Sequence, residues 1–266
     1  MALTWTWTER QPAGAVDKSW RTVELDSDGS VILAGVSSGR LYLSTDSGSS
    51  WSEVQPAGAV NKAWERHAAV SADGSVILAG VNGGRLYLST NTGSSWSEVQ
   101  PAGAANLPWY SAAVSGDGSV LLAGVYGGRL YLSTNTGSSW SEVQPAGAAN
   151  KNWYAHSSAS VDGQFLIASA CDNGSGPNRF YFSSDRGSTW TELQPFLAQW
   201  VSVSLSNDGR TLLALAYNGR IYRSDNAGFS WAETRPAGNT SYAWLSGGVS
   251  KDGLHFAAGV NNIGGR

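Results

Sequence analysis

The stretch Leu41–Trp51, LYLSTDSGSSW, returns as LYLSTNTGSSW at 86–96 and at 130–140, and looser copies end at Trp190 and Trp231. A short apolar strand runs into Ser-x-Asp/Asn-x-Gly-x-Ser/Thr-Trp, a pattern that reads as a strand, a tight turn and an aromatic residue that restarts a strand. A second marker, Pro-Ala-Gly, stands at Pro12, Pro56, Pro101, Pro145 and Pro236, with a degenerate copy at Pro195. Successive units therefore step by 44, 45, 44, 50 and 41 residues.

A period of about 40 to 45 residues holding four strands is that of a propeller blade, which cannot bury both its faces without neighbours. The expected fold is all-β, a single β-propeller domain over residues 1–266 with six blades of four antiparallel strands in repeats of about 44 residues. Composition agrees. Gly (33) and Trp (13) are in excess and Met occurs once, as suits short strands and tight turns rather than helices. The formal net charge of −3 gives no basic stripe for a phosphate backbone, so nucleic acid is not an expected partner. No run reaches the roughly 18 apolar residues of a membrane span. The start MALTWTWTER lacks the basic and apolar segments of a secretory signal, so the chain reads as soluble, cytoplasmic or processed extracellular. Cys171, the lone cysteine, can form no intrachain disulfide and reads as an unreactive loop thiol.

Each unit reads alike. A first strand follows Trp20, Trp64, Trp109, Trp153, Trp200 or Trp244 and ends at an Asp-Gly turn; a continuous apolar second strand such as VILAGV follows; a Gly-rich turn with an arginine opens the third strand, LYLS; the fourth begins at the turn's tryptophan. Residues 79–106 and 123–150 differ only at Asn82 against Tyr126, and the fourth unit carries an insertion, ACDNGSGPNRF, at Ala170–Phe180. At the ends, Trp7-Thr-Glu lines up with Trp51-Ser-Glu. Trp5–Arg10 is thus expected as an N-terminal strand closing the last blade; Arg266 falls where that blade's third strand should begin, so the blade is expected to be incomplete or irregular, the alternative being that these 266 residues are part of a longer chain. An exposed edge there would invite self-association at the seam blade.

The five turns (Ser44, Asp46, Gly48, Ser50 and Trp51 in the first; Ser89, Asn91, Gly93, Ser95 and Trp96 in the second; then those closing at Trp140, Trp190 and Trp231) resemble the Asp-box, or BNR-repeat, propellers. That resemblance implies a propeller and a structural turn on the face away from any active site. It says little about activity, because such propellers include sialidases, xyloglucan hydrolases, sortilin-like receptors and photosystem II assembly factors. Three of the five turns have Asn for Asp; either side chain can accept from backbone N–H groups, and Asn makes a poor acid or metal ligand.

Catalysis finds little footing. Fourteen of the 20 acidic residues belong to the repeat, and of the rest Glu24 and Glu65, on neighbouring first strands, are the candidate pair to face one another across a sugar, though they read better as solvated channel residues. The Arg-Ile-Pro signature of the sialidases is absent, the three histidines have no metal spacing, and no cofactor or metal is implied.

A ligand is expected instead on the face shared by the fourth-to-first loops and the Gly-Gly-Arg turns. There Trp20, Trp64, Trp109, Trp153, Trp200 and Trp244 stand beside Arg40, Arg85, Arg129, Arg179 and Arg220, a ring suited to stacking and hydrogen-bonding sugars. The alternative is that each tryptophan packs between blades and each arginine caps a turn. A second candidate is the channel mouth, where the units diverge: Arg21, Glu65, Arg66, His67, Tyr110, Tyr154 and His156. The resulting reading is a non-enzymatic, multivalent carbohydrate-binding (lectin-like) propeller whose partners are glycans or glycoconjugates. The alternatives are a protein partner, as for assembly-factor or sortilin-type scaffolds, or a glycoside hydrolase or sialidase-like fragment.

Overall fold

The computed structural model of this chain describes residues 8–64, 68–154, 157–171, 179–193, 198–236, 238 and 241–260. Turns every few residues leave room only for short strands. The first unit gives β1 (Trp20–Leu25), β2 (Ile32–Val36), β3 (Leu41–Ser44) and β4 (Ser52–Val54), and the second β5 (Ala68–Val70), β6 (Ile77–Gly80), β7 (Leu86–Ser89) and β8 (Ser97–Val99). The third gives β9 (Trp109–Val114), β10 (Leu121–Val125), β11 (Leu130–Ser133) and β12 (Ser141–Val143). In the fourth the first strand is split into β13 (Asn152–Trp153) and β14 (Ser158–Ala159), both paired with β15 (Leu166–Cys171), and β16 (Arg179–Ser183) and β17 (Thr191–Leu193) follow. The fifth gives β18 (Trp200–Leu205), β19 (Leu212–Ala216), β20 (Ile221–Ser224) and β21 (Ala232–Thr234), and the sixth β22 (Trp244–Val249) and β23 (Phe256–Val260). Each unit is one antiparallel meander, so the molecule is an all-β propeller whose blades follow the sequence repeat. Among the described residues the sixth blade has two strands, and no helix is long and apolar enough to cross a membrane.

Alternation along each strand sends successive side chains to opposite neighbours. Leu33, Leu41 and Leu43 of the first blade meet Trp64, Ile77, Ala79, Val81 and Tyr87 of the second. Leu78, Leu86 and Leu88 then meet Trp109, Leu121, Ala123, Val125 and Tyr131 of the third. The core is thus a set of apolar layers between blades, and each fully buried leucine contributes about 1.5–3 kcal/mol of transfer free energy.

Polar stitching fixes the inner strands. Ser71 Oγ donates to Asp73 (2.6 Å) and accepts from Val76 N–H (2.9 Å), closing the Asp-Gly turn. The first blade puts Asp26 in that role, accepting from Val31 N–H at 3.1 Å and Ser30 Oγ at 2.8 Å. One residue further on, each blade is tied to the next. Ser27 N–H donates to Ala72 O (3.0 Å), Ala72 N–H to Gly116 O (2.9 Å), Asp117 N–H to Val161 O (2.7 Å), Val161 N–H to Asn207 Oδ1 (3.0 Å) and Asn207 N–H to Lys251 O (2.9 Å).

Two expectations need correction and others lie out of view. Cys171 is not a loop thiol: it is buried at the end of β15, opposite Asn152, because the apolar second strand runs two residues into the insertion. The split of the fourth blade's first strand was not anticipated. The expected N-terminal strand, with Trp5 and Trp7, lies outside the described residues in 1–7, as do 172–178 of the insertion; Thr8–Arg10 form no strand.

Candidate functional site

The repeated turns are held by their own side chains. Asp46 Oδ1 accepts from Ser44 Oγ (2.8 Å) and Ser50 N–H (2.8 Å), Oδ2 accepts from Ser50 Oγ (2.6 Å), and Trp51 Nε1 donates to Gly48 O at 3.2 Å. The Ser50 hydroxyl and N–H, with Ser44, draw the Asp46 carboxyl down to about 2. Asn91 keeps the arrangement, its Oδ1 accepting from Ser89 Oγ (3.0 Å) and Ser95 N–H (2.9 Å) while its Nδ2 donates to Ser95 Oγ (2.8 Å). The Asp or Asn side chain is bonded within its own loop, which suits a scaffold role. The glycine is required for space as well as for its positive φ: a Cβ on Gly93 (φ +74) would sit 2.4 Å from Leu43 Cδ2 of the preceding blade.

On the opposite face, the loop leading into each blade bridges to the Gly-rich turn of the blade before it, as in the paired bonds of Gly39 with Lys62 (3.0 and 2.9 Å) and of Gly84 with Leu107 (3.1 and 2.9 Å). Of the tryptophans on this face, Trp64, Trp109, Trp153, Trp200 and Trp244 are buried. Within blades 2 to 5 each meets its own blade's tyrosine, with ring centroids 5.4–5.8 Å apart, as in Trp64–Tyr87 and Trp200–Tyr222. Their stacking faces are covered by protein. Trp20 alone among the six is exposed, at 39%. The arginines Arg40, Arg85, Arg129, Arg179 and Arg220 each pair with the fourth-strand glutamate 13 residues on (Glu53, Glu98, Glu142, Glu192, Glu233) at 2.5–3.7 Å. Arg40 also donates to the carbonyls of Gly58 (3.3 Å) and Ala59 (2.8 Å), and Arg220 to that of Gly238 (3.1 Å). Arginine and tryptophan here clamp the loop. The constant offset of 13 between Arg and Glu in five units was the sequence signal for that clamp.

Of the channel-mouth set, Arg21, Tyr110 and Tyr154 are described. Tyr110 is half-buried, accepts from Asn82 Nδ2 at 2.9 Å and lies 5.4 Å from the Tyr126 ring. Tyr154 is half-buried. Arg21 is exposed and lines a cleft of about 320 Å³ with Trp20, Glu24, Leu245 and Ser246, between the first and sixth blades. Glu65, Arg66, His67 and His156 lie outside the described residues.

The best-formed recess lies at the other end of the channel, near the Asp-Gly turns. It measures about 330 Å³ and is lined from five blades, chiefly by small residues, among them Ala69, Ser71, Ala113, Gly116, Ser158 and Ala159. Three ionisable side chains line it: Asp26, bound to Val31 and Ser30, and Glu24 and Lys251. The residues that the register sets at the place of Glu24 are Ala69, Ala113, Ser158, Ser204 and Gly248. Glu24 is therefore one carboxyl among small side chains, and enclosure pushes it up to about 8. Glu24 is half-buried and lines the channel as expected, and at that value it keeps its proton through neutral pH. Burial also lowers the Lys251 ammonium from its ordinary value. The recess combines a neutral acid, able to donate, with a cation. Its departure from the repeat at Glu24 and Lys251 was readable once the units were aligned.

Against known proteins, no curated protein sequence matches the chain significantly. Among solved structures, the GH74 xyloglucanase from Xanthomonas campestris has a TM-score of 0.57 at 22% identity, over 79% of this chain and 38% of that one. An ancestral GH74 enzyme has a TM-score of 0.62 at 18% identity, over 80% and 32%. YCF48 bound to D1 peptide has a TM-score of 0.63 at 15% identity, over 91% and 80%. The chain spans less than two-fifths of the length of the two hydrolase structures, and likeness at these identities shows the propeller fold alone. The model of the family described as "Sortilin, neurotensin receptor 3" matches residues 84–218, half of the chain, across the second to fifth blades. With that match joined to the propeller architecture, this chain belongs to the Sortilin-Vps10 family.

Proposed function

We propose that this propeller is a non-enzymatic binding protein that holds an extended segment of a partner polypeptide in the channel recess at the Asp-Gly end. The observation that carries this reading is the recess itself, where small walls leave room for a backbone, Glu24 offers a carboxylic O–H to a carbonyl, and Lys251 offers an ammonium to a carboxylate. The family description names a receptor, and one structural neighbour is bound to a peptide, which supports a protein ligand. On this reading the Ser-x-Asp/Asn turns are Asp boxes that hold the frame.

The test is an array of N-acetylated octapeptides with free carboxyl ends, read by binding of the labelled chain and of its Lys251→Ala and Glu24→Gln variants. Peptides that bind the parent and lose about tenfold or more in affinity with Lys251→Ala support it. Bound peptides indifferent to both substitutions would remove the site from the channel.

Trp20 favours a second reading, glycan binding. It is exposed beside Arg21 in the cleft between the first and sixth blades, so sugar binding here would be at one site rather than six. A glycan array positive for the parent and blank for Trp20→Ala would shift the assignment to that cleft. The hydrolase reading retains Glu24, whose raised pKa suits a general acid; release of reducing ends from xyloglucan, abolished in Glu24→Gln, is its measurement.

A further inference from the structure

In the sixth blade, β23 has no third strand beside it among the described residues. In each complete blade the third strand puts a tyrosine opposite an alanine of the second: Tyr42 on Ala34, Tyr87 on Ala79, Tyr131 on Ala123, Tyr181 on Ala168 and Tyr222 on Ala214. The residue before the tyrosine faces Gly35, Gly80, Gly124, Ser169 or Leu215, and in each case the residue two after it is serine. The sixth blade keeps the same register between β22 and β23, with Gly247 opposite Ala258 and Ser246 opposite Gly259. Its second strand, Phe-Ala-Ala-Gly-Val, thus preserves the alanine and glycine that receive a third strand, and it is exposed along its whole length.

Beside Ala258 the structure leaves a cavity of about 430 Å³ lined by Trp244, Phe256, Leu213, Ile221 and Arg223. Trp244 is the counterpart of the tryptophan on which each third-strand tyrosine packs, so the cavity is the place of the sixth tyrosine ring. Arg223 is an independent sign. It stands where the other complete blades have Leu43, Leu88, Leu132 and Phe182. Its guanidinium lies 4.8 Å over the Phe256 ring and pairs through Nη2 with Asp225 Oδ1 at 2.6 Å, while its Nε is buried with no hydrogen-bond partner among the described residues. A polar atom left unbonded at the wall of a mainly apolar cavity costs free energy until a ligand supplies an acceptor.

We propose that β23 binds, by strand addition, an extended segment of a partner polypeptide with the pattern aliphatic–Tyr–aliphatic–Ser, its tyrosine ring against Trp244 and its hydroxyl accepting from Arg223. The cavity selects this occupant over a second copy of the chain. Two copies paired edge to edge would set Phe256–Val260 against itself, bring only small side chains opposite Ala258, and leave the cavity unfilled.

The probe is the fluorescein-labelled octapeptide GRLYLSTD, the chain's own residues 39–46, titrated by anisotropy into the full chain, with hydrogen exchange of the Phe256–Val260 amides read in parallel. The expected result is saturable binding that slows those amides. Replacing the peptide's tyrosine by alanine should weaken binding about tenfold or more, as expected for loss of a buried ring. Ala258→Trp, which fills the cavity at an exposed strand, should do the same, whereas Lys251→Ala should leave binding unchanged and so separates this site from the channel. Absence of binding, or binding indifferent to both the tyrosine and Ala258→Trp, overturns the proposal. So do amides already slow in the peptide-free monomer, which would mean that the chain's own segment fills the slot. Slowing that tracks dimer formation would assign the edge to a second copy.

Discussion

The junction between the second and third blades and that between the sixth and first are built from the same sequence elements and end in opposite states. Trp109 is 2% exposed, sandwiched between its own blade and the leucines of the blade before, whereas Trp20, its repeat counterpart, is 39% exposed. Val23 and Leu25 on the same first strand are 64% and 57% exposed, while Val114, the counterpart of Leu25, is buried. A Cβ on Gly93, Gly137, Gly187 or Gly228 would meet a leucine of the previous blade at 2.3–2.4 Å, but one on Gly48 would meet nothing nearer than 3.6 Å. The repeat therefore encodes half of each interface. Whether a tryptophan becomes core or surface is set by whether the neighbouring blade presents its apolar face.

The largest expected contrast is Trp109→Ala against Trp20→Ala. Emptying the closed interface should cost about 3–5 kcal/mol, and the seam substitution less than about 1 kcal/mol, by chemical denaturation. Equal losses would mean that Trp20 is packed in solution. Next come Gly93→Ala and Gly48→Ala. Both impose positive-φ strain of about 1–2 kcal/mol, and only the first adds a clash with Leu43, for about 1–3 kcal/mol more. A smaller effect follows from Glu24. The folded state holds its proton up to about 8 and the unfolded chain releases it near the ordinary carboxyl value, so stability falls as pH rises between the two. Glu24→Gln should leave stability at pH 4 unchanged and raise it at pH 8 by about 1–2 kcal/mol, discounted because the side chain retains contact with channel water. A flat difference across that range would place Glu24 in open solvent. The smallest change is expected for Asn91→Asp, since Asp46 makes the same turn bonds with its own oxygens; a melting temperature within a degree or two of the parent at neutral pH is the expected reading.

The blades were legible because alternation, Asp-Gly turns and apolar runs are local signals, and the register between second and third strands followed the repeat without a slip from the first blade to the fifth. The arginines were open to two readings because a Gly-Gly-Arg turn looks alike whether its guanidinium faces a sugar or a glutamate on the next strand; the 13-residue offset matches the glutamate pairs. The tryptophans carried the same ambiguity, since an indole that begins a strand serves burial and stacking equally well in one dimension. The recess went unseen for a different reason. Its walls are alanine, serine and glycine, which carry no chemical signature, and Glu24 gains its character from what surrounds it.

The sequence by itself determined the periodic part of this protein: strand, turn and blade, the alanine waiting opposite each tyrosine, and membership of a propeller family. These follow from side-chain period and turn chemistry within about 44 residues. Only the tertiary structure decided which indoles are buried, that enclosure raises the Glu24 carboxyl to about 8, and that β23 is exposed beside a cavity. Exposure and desolvation depend on what stands across an interface, and in a ring of blades that neighbour lies a full repeat away or at the far end of the chain.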